Sequence, residues 1–231
     1  MKLYLANVND LKDKELFDKF YCLMGDERKN KINRYVFGKD KRLSLGAGIL
    51  LRLGLCESGI NADEAEFQIG ENGKPYLSEN CNVFFNLSHS DEMVMCVIAD
   101  NEVGCDIEKI NDIDLDIAKN YFYSSEYKLI FSQPTKEKRN DTFFRLWTLK
   151  ESFMKLTGLG MSLPLDAFKI DLNDKKITVE QNVDDKIYFF KEYYIDGNYK
   201  CACCSLSDNF SEKSEFIRLC QIYDRLCSPN V

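Results

Sequence analysis

Along this chain the apolar positions recur first every second residue and then every third or fourth. Lys2 to Val8 (KLYLANV) alternates as a strand does, and Asp10 to Met24 predicts a helix with Leu11, Phe17, Phe20 and Leu23 turned inward. Arg42 to Leu55 (RLSLGAGILLRLGL) predicts a second helix, in which Gly46, Ala47 and Gly48 leave room for another backbone to come close. Glu66 to Leu77 (EFQIGENGKPYL) reads as strand, turn and extended chain, since Asn72-Gly73 suits a tight turn and Pro75 keeps Lys74 out of helix. Phe84 to Ala99 (FFNLSHSDEMVMCVIA) predicts a strand end, a polar turn holding His89 between Ser88 and Ser90, and a buried strand. After an Asp100-Asn101 turn, Val103 to Ile110 is a strand with Val103, Cys105 and Ile107 toward the core and Asp106 and Glu108 together on the other face.

The stretch with the clearest helical period is Thr142 to Met161, where Phe143, Leu146, Leu149 (or Lys150), Phe153 and Leu156 form the inward stripe and Gly158 and Gly160 supply the stop. Trp147, Glu151 and Lys155 stand four apart on its other face. Ahead of it, Asn111 to Ile130 predicts a loop and helix carrying Tyr121, Phe122, Tyr123 and Tyr127, and Ser132 to Arg139 a charged connector. Behind it come two hairpins, Ala167–Leu172 with Ile177–Glu180 and Lys186–Tyr194 with Tyr199–Leu206, then a last short helix over Ser214 to Leu226. The order repeats: charged segment, helix, short strand pair, long apolar strand. Such repetition predicts an internal duplication and an α+β fold of two similar halves, 1–102 and 103–231, with a ligand cleft between them.

Charge sharpens this picture. A net charge of −7 argues against a general nucleic-acid or membrane-surface binder, and the longest apolar run, MVMCVIA, is far too short to span a bilayer. With no export signal at the start, a cytoplasmic location and reduced thiols are expected for the ten cysteines. In CACC, Cys201 and Cys203 share one strand face and Cys204 takes the other, and with a single histidine in the chain no zinc site is expected there. Against this acidic background, Asp26 to Arg42 holds seven basic residues and three acidic ones. It is either a solvated helix face or an anion pocket in which Arg28 and Lys31, three apart, act together.

Asp106 and Glu108 on one strand face repel unless a cation lies between them, although a solvent-facing strand also tolerates such a pair. If that face meets the long helix, Glu151 becomes a third carboxylate, and an all-oxygen set of this kind suits magnesium. Lys155, Ser88 and His89 are side chains of the type that holds phosphates, and no P-loop or glycine-rich dinucleotide fingerprint is present. The combination points to phosphoryl-transfer chemistry on a polyphosphorylated substrate.

The series GKP at Gly73–Pro75, FNLSHS at Phe85–Ser90, GCDIE at Gly104–Glu108 and W-x-x-K-E-x-x-x-K at Trp147–Lys155 closely resembles the Sfp-type 4′-phosphopantetheinyl transferases. The resemblance implies a pseudo-twofold pair of α/β halves and transfer of the phosphopantetheine arm of coenzyme A to a serine of an apo acyl or peptidyl carrier protein. Adenosine 3′,5′-bisphosphate would be released. It further implies magnesium on Asp106, Glu108 and Glu151; Lys155 on the pyrophosphate; Gly73, Lys74 and Pro75 near the adenine; Ser88 and His89 at the phosphates; and Arg28, Lys31 and Ser44 at the 3′-phosphate. Glu151 is the implied general base, with Asp106 as the next candidate, and Cys105 has no expected chemical role. The aromatics of Ile110–Phe131, with the Gly158–Pro164 loop, are the expected docking place for the carrier. Chain length suggests a broad-specificity monomer serving fatty-acid, polyketide or nonribosomal-peptide synthesis. Two other readings use the same residues: a magnesium-dependent nucleotide or coenzyme A phosphohydrolase, and a non-catalytic module that binds coenzyme A or a carrier.

Overall fold

The computed structural model describes residues 1–78, 81–173 and 176–227. Its first half runs β1 (Lys2–Asn7), a 3-10 turn at Val8–Lys12, α1 (Lys14–Cys22), α2 (Asp26–Arg34), α3 (Gly38–Cys56), β2 (Phe67–Ile69), β3 (Pro75–Leu77), β4 (Phe84–Ser90) and β5 (Met93–Ala99). The second runs β6 (Val103–Lys109), α4 (Asp116–Tyr121), α5 (Ser124–Phe131), α6 (Lys136–Thr157), β7 (Lys169–Asn173), β8 (Lys176–Glu180), β9 (Phe189–Glu192) and β10 (Tyr199–Ser205). The chain then adds β11 (Glu215–Ile217) and α7 (Tyr223–Cys227).

Strand alternation sorts the core into layers. In the sheet ordered β11-β1-β5-β4, Leu3, Leu5, Met93, Met95 and Val97 point to one side and Tyr4, Ala6, Val94, Cys96 and Ile98 to the other, against α3. The second sheet, β6-β10-β9, meets the first through Val103, Cys105, Ile107, Cys201 and Cys203, and turns Ala202 and Cys204 toward α6. The architecture is α+β, two halves that each lay one long helix on a sheet, stacked sheet to sheet with the helices outside. Burial of the cysteines in this stack raises their thiol pKa values, so Cys96, Cys201, Cys203 and Cys204 act as small apolar residues.

Some expectations change. The helix expected over Ser214–Leu226 is instead a strand, a 3-10 turn and one helical turn. β11 pairs parallel with β1 (Tyr4↔Glu215, Ala6↔Ile217), and Ile217, Leu219 and Leu226 fill the core of the first half, so the end of the chain returns there. The helix expected over Asp10–Met24 breaks at Asp13, whose carboxylate caps α1 by accepting from the N–H groups of Glu15 and Leu16. The glycines of α3 admit side chains rather than a backbone: a Cβ on Gly46 would lie 2.6 Å from Val8 Cγ1.

Backbone does meet backbone at Gly104. A Cβ there would lie 2.0 Å from the Ser152 carbonyl oxygen and 2.4 Å from the Leu156 nitrogen, so α6 rests directly on β6 at the first residue of the GCDIE motif. We expect Gly104→Ala to destabilise the protein by more than about 3 kcal/mol, or to prevent soluble expression. Gly25→Ala, with nothing within 4 Å of its Cβ, should leave the melting temperature unchanged.

Candidate active site

β4 and β6 are the edge strands that the two sheets turn toward each other, and no backbone ladder joins them. Side chains do so instead. Asn86 Oδ1 accepts from the Cys105 N–H at 2.9 Å, Ser88 Oγ from Ile107 N–H at 3.4 Å and Ser90 Oγ from Lys109 N–H at 3.0 Å. The two hydroxyls then donate to the carboxylates on the same strand, Ser88 to Asp106 Oδ1 at 2.8 Å and Ser90 to Glu108 Oε2 at 2.7 Å. This use of Ser88 and Ser90 keeps the chain extended through His89, so the turn expected there falls instead at Asp91–Glu92. His89 lies on the opposite face of β4, where partial desolvation and the charges of Lys155 and Lys31 hold its pKa below the usual value.

From α6, Lys155 Nζ reaches Asp106 Oδ1 at 2.6 Å and Ser88 Oγ at 3.0 Å. Among the described residues no three acidic, histidine or cysteine side chains close on one point in metal-binding geometry, and Asp106 is paired with the Lys155 ammonium instead. The carboxylates are nonetheless poorly satisfied. Asp106 Oδ2 is buried and has no hydrogen-bond partner. Burial and the Asp106 charge push Glu108 up to about 7, and the same two causes raise Glu151. A buried orphan oxygen beside two carboxylates reluctant to ionise is a donor set that fits a small divalent cation.

The basic segment faces a cavity of its own. A cavity of about 820 Å³ lies between α2, α3 and the β2–β3 hairpin, lined by Arg28, Lys31, Gly48, Phe67, Gly73 and Pro75 among others. Among the described residues neither Arg28 nor Lys31 has an ion-pair partner; desolvation lowers both pKa values, and Arg28 lowers Lys31 further. Ser44 stands on the α3 face that Gly48, Leu51 and Leu55 turn to the cavity, one turn nearer the helix start, with its Oγ buried and unpartnered. A second pocket of about 220 Å³, lined by Asn72, Lys74, Asn86, Leu87 and Lys155, shares Gly73 and Pro75 with the first. Of the expected residues, Arg28, Lys31, Gly73 and Pro75 line the larger cavity, and Gly73, Lys74, Pro75 and Lys155 the smaller one.

Lys74 is the exception in detail. Its ammonium donates to the carbonyls of Val103 at 3.2 Å and Leu156 at 3.0 Å, and so ties the hairpin to the end of α6 instead of facing the cavity.

A model of the 4′-phosphopantetheinyl transferase superfamily matches residues 102–204, and one described as 4′-phosphopantetheinyl transferase, N-terminal, matches residues 12–102. The chain is 34% identical to 4′-phosphopantetheinyl transferase gsp of Aneurinibacillus migulanus, over 96% of this chain and 94% of that protein. It is 34% identical to the transferase ffp of Bacillus subtilis and 31% identical to Sfp of Bacillus subtilis strain 168, each over 92% of this chain and 95% of the relative. The chain belongs to the 4′-phosphopantetheinyl transferase family. It is thus a transferase of the phosphopantetheine arm of coenzyme A to carrier proteins. No helix among the described residues is long and apolar enough to cross a membrane.

The sequence reading of this transferase missed Asn86, Ser90 and Asp91. The first two carry a legible signal, since N-x-S-x-S repeats polar groups at the strand period. Asp91 carries none. It turns the chain at φ 55, accepts from Lys39 and from Lys109 at 2.6 Å each, and has its carboxyl pushed down to about 2, chiefly by those two hydrogen bonds. A depressed carboxyl pKa stabilises the fold above its unfolded value near 3.8, and the gain is lost as pH falls through about 2. Asp91→Asn should therefore cost on the order of 1 kcal/mol at pH 7, discounted for partial exposure. In urea titrations the gap between the two proteins should narrow from pH 4 downward and close near pH 2.

Proposed function

We propose that the path from α2 to α6 is the reaction cleft, in which coenzyme A lies with its adenosine 3′-phosphate on Arg28, Lys31 and Ser44 and its pyrophosphate near Lys155, His89 and the carboxylates. The observation that supports this most is the pairing of opposites within one cleft: unpaired cations at one end and an orphan buried carboxylate oxygen at the other. Residues 1–102 and 103–231 form the two halves, with 215–227 packed back on the first. Gly73 and Pro75 line both pockets where the nucleotide would pass between them.

Asp106, Glu108 and Glu151 would hold magnesium, which supplies charge neutralisation at the pyrophosphate when bound. The chain's own groups do the rest. Lys155, which rests on Asp106 and Ser88 in the absence of substrate, is the cation that would turn to the charge gathering on the leaving bisphosphate. Glu151 is the general base for the carrier serine, since burial beside Asp106 makes it more basic than an ordinary carboxylate. Asp106 is a poorer choice because its Oδ1 already accepts from Ser88 and Lys155.

The carrier docks on the flank of α4 and α5, where Tyr121 and Tyr123 are exposed. Phe122, between them, is core: it stacks on Phe143 with ring centres 5.2 Å apart.

Intact-mass analysis of several apo carrier proteins, incubated with the protein, coenzyme A and magnesium, tests the reading. One phosphopantetheine should appear on the carrier, and Asp106→Asn should abolish it at low magnesium. Cleavage of coenzyme A without any carrier would favour the phosphohydrolase. In the same assay dephospho-coenzyme A should be a poor substrate, since Arg28 and Lys31 each contribute on the order of 1.5 to 3 kcal/mol to an anion contact. Arg28→Ala with Lys31→Ala should remove that preference, and equal use of both substrates by the unmodified protein would refute the grip.

A further inference from the structure

Lys150 sits inside the W-x-x-K-E-x-x-x-K pattern, next to Glu151, yet it points away from the cleft. Its side chain is 0% exposed and that of its partner Glu126 is 2% exposed. The ammonium donates to Glu126 Oε2 at 2.9 Å, to the Leu165 carbonyl at 2.8 Å and to the Phe168 carbonyl at 2.7 Å, which uses all three of its protons. Glu126 in turn accepts from the Tyr123 N–H at the start of α5 at 3.0 Å and from the Ile170 N–H on β7 at 2.7 Å. One buried pair thus joins α5, α6, the 165–168 turn and β7.

Stability alone does not call for such a pair, because apolar side chains of similar volume usually serve a core as well or better. What charged groups add is direction. On the side facing β6, α6 is fixed by the contact of Gly104 with the Ser152 and Leu156 backbone; on the side facing α5 and β7 it is fixed by Lys150. Between those two anchors the helix cannot roll, and Glu151 and Lys155 take their positions from that rotation. At a helix radius of about 5–6 Å, a roll of ~10° displaces a side-chain end by roughly 1 Å. A misplacement of that size can slow a reaction by about 100-fold.

We propose that Glu126 and Lys150 are positioning residues for the transfer: they set the rotation of α6 that brings Glu151 and Lys155 to Asp106, and neither touches substrate. The proposal rests on the reading of the cleft given above.

The test compares Glu126→Leu, Lys150→Met and the double variant with the unmodified protein. Each single change strands a buried charge and should lower the melting temperature by about 10 °C. The double variant removes both charges but leaves the Tyr123 and Ile170 N–H groups and the Leu165 and Phe168 carbonyls without these partners, so it should recover part of that loss, while its kcat stays about 10- to 100-fold down with a KM for coenzyme A within twofold of normal. Fluorescence gives a readout independent of turnover: Trp147, one turn from Glu151 and stacked on Phe143 at 5.7 Å, should change its emission maximum in the double variant. A double variant with recovered melting, normal kcat and unchanged emission would overturn the proposal, leaving the pair structural only. Should the double variant not fold, Glu126→Gln decides, since it keeps the volume and an acceptor for Ile170: lowered kcat at constant KM supports positioning, and normal kcat refutes it. Absence of turnover in the unmodified protein would instead refute the functional reading, and the Trp147 emission then decides the positioning question alone.

Discussion

Three polar side chains of β4 bonded to the free N–H groups of β6 carry the whole arrangement. An unpaired strand edge inside a protein is costly, and here Asn86, Ser88 and Ser90 meet the edge at Cys105, Ile107 and Lys109. Because strand residues alternate, the same register that offers those N–H groups to β4 turns Asp106 and Glu108 away from the apolar layer and toward α6. Gly104 then lets α6 settle on the strand, which brings Glu151 and Lys155 to the carboxylates. Ser88 serves both ends of this chain of cause, accepting from a backbone N–H and donating to Asp106.

Electrostatically the cleft is strained in two opposite senses. At one end desolvation works against the charges on Arg28 and Lys31, and at the other it works against those on Glu108 and Glu151. The Lys155–Asp106 contact relieves only part of the second, since Asp106 Oδ2 is left without a partner. A ligand that brings an anionic phosphate to one end and a pyrophosphate with a divalent cation to the other would relieve both. An acidic protein can bind a polyanion in this way without carrying a basic surface overall.

Much of this was legible in the sequence, and the reasons differ from place to place. The two-period pattern exposed β1, β5, β6 and the two long helices, and the repeated order exposed the duplication. Two of the four short motifs mark positions where only a few residue types fit: glycine at 104 against a helix backbone, alternating carboxylates at 106 and 108, and the four-residue step of Glu151 and Lys155. What the sequence hid is long-range. β11 has three residues and owes its existence to the β1 edge more than 200 positions away, so no local period announces it. Lys150 reads locally as an alternative to Leu149 on the inward stripe, and only Glu126, buried on a different helix, shows what its charge meets there. Locally the polar run around His89 reads as a turn; in the fold the hydroxyls of Ser88 and Ser90 are spent across the seam and the strand runs on.

The claim that one cleft joins the basic helix to the acidic seam is tested most directly by a crystal structure of the protein with coenzyme A and manganese, located by anomalous scattering. The account predicts a single manganese peak among Asp106, Glu108 and Glu151, with Lys155 moved from Asp106 to the pyrophosphate and the 3′-phosphate on Arg28 and Lys31. Manganese bound away from those three carboxylates, or coenzyme A lying outside the cavity between α2, α3 and the β2–β3 hairpin, would contradict it.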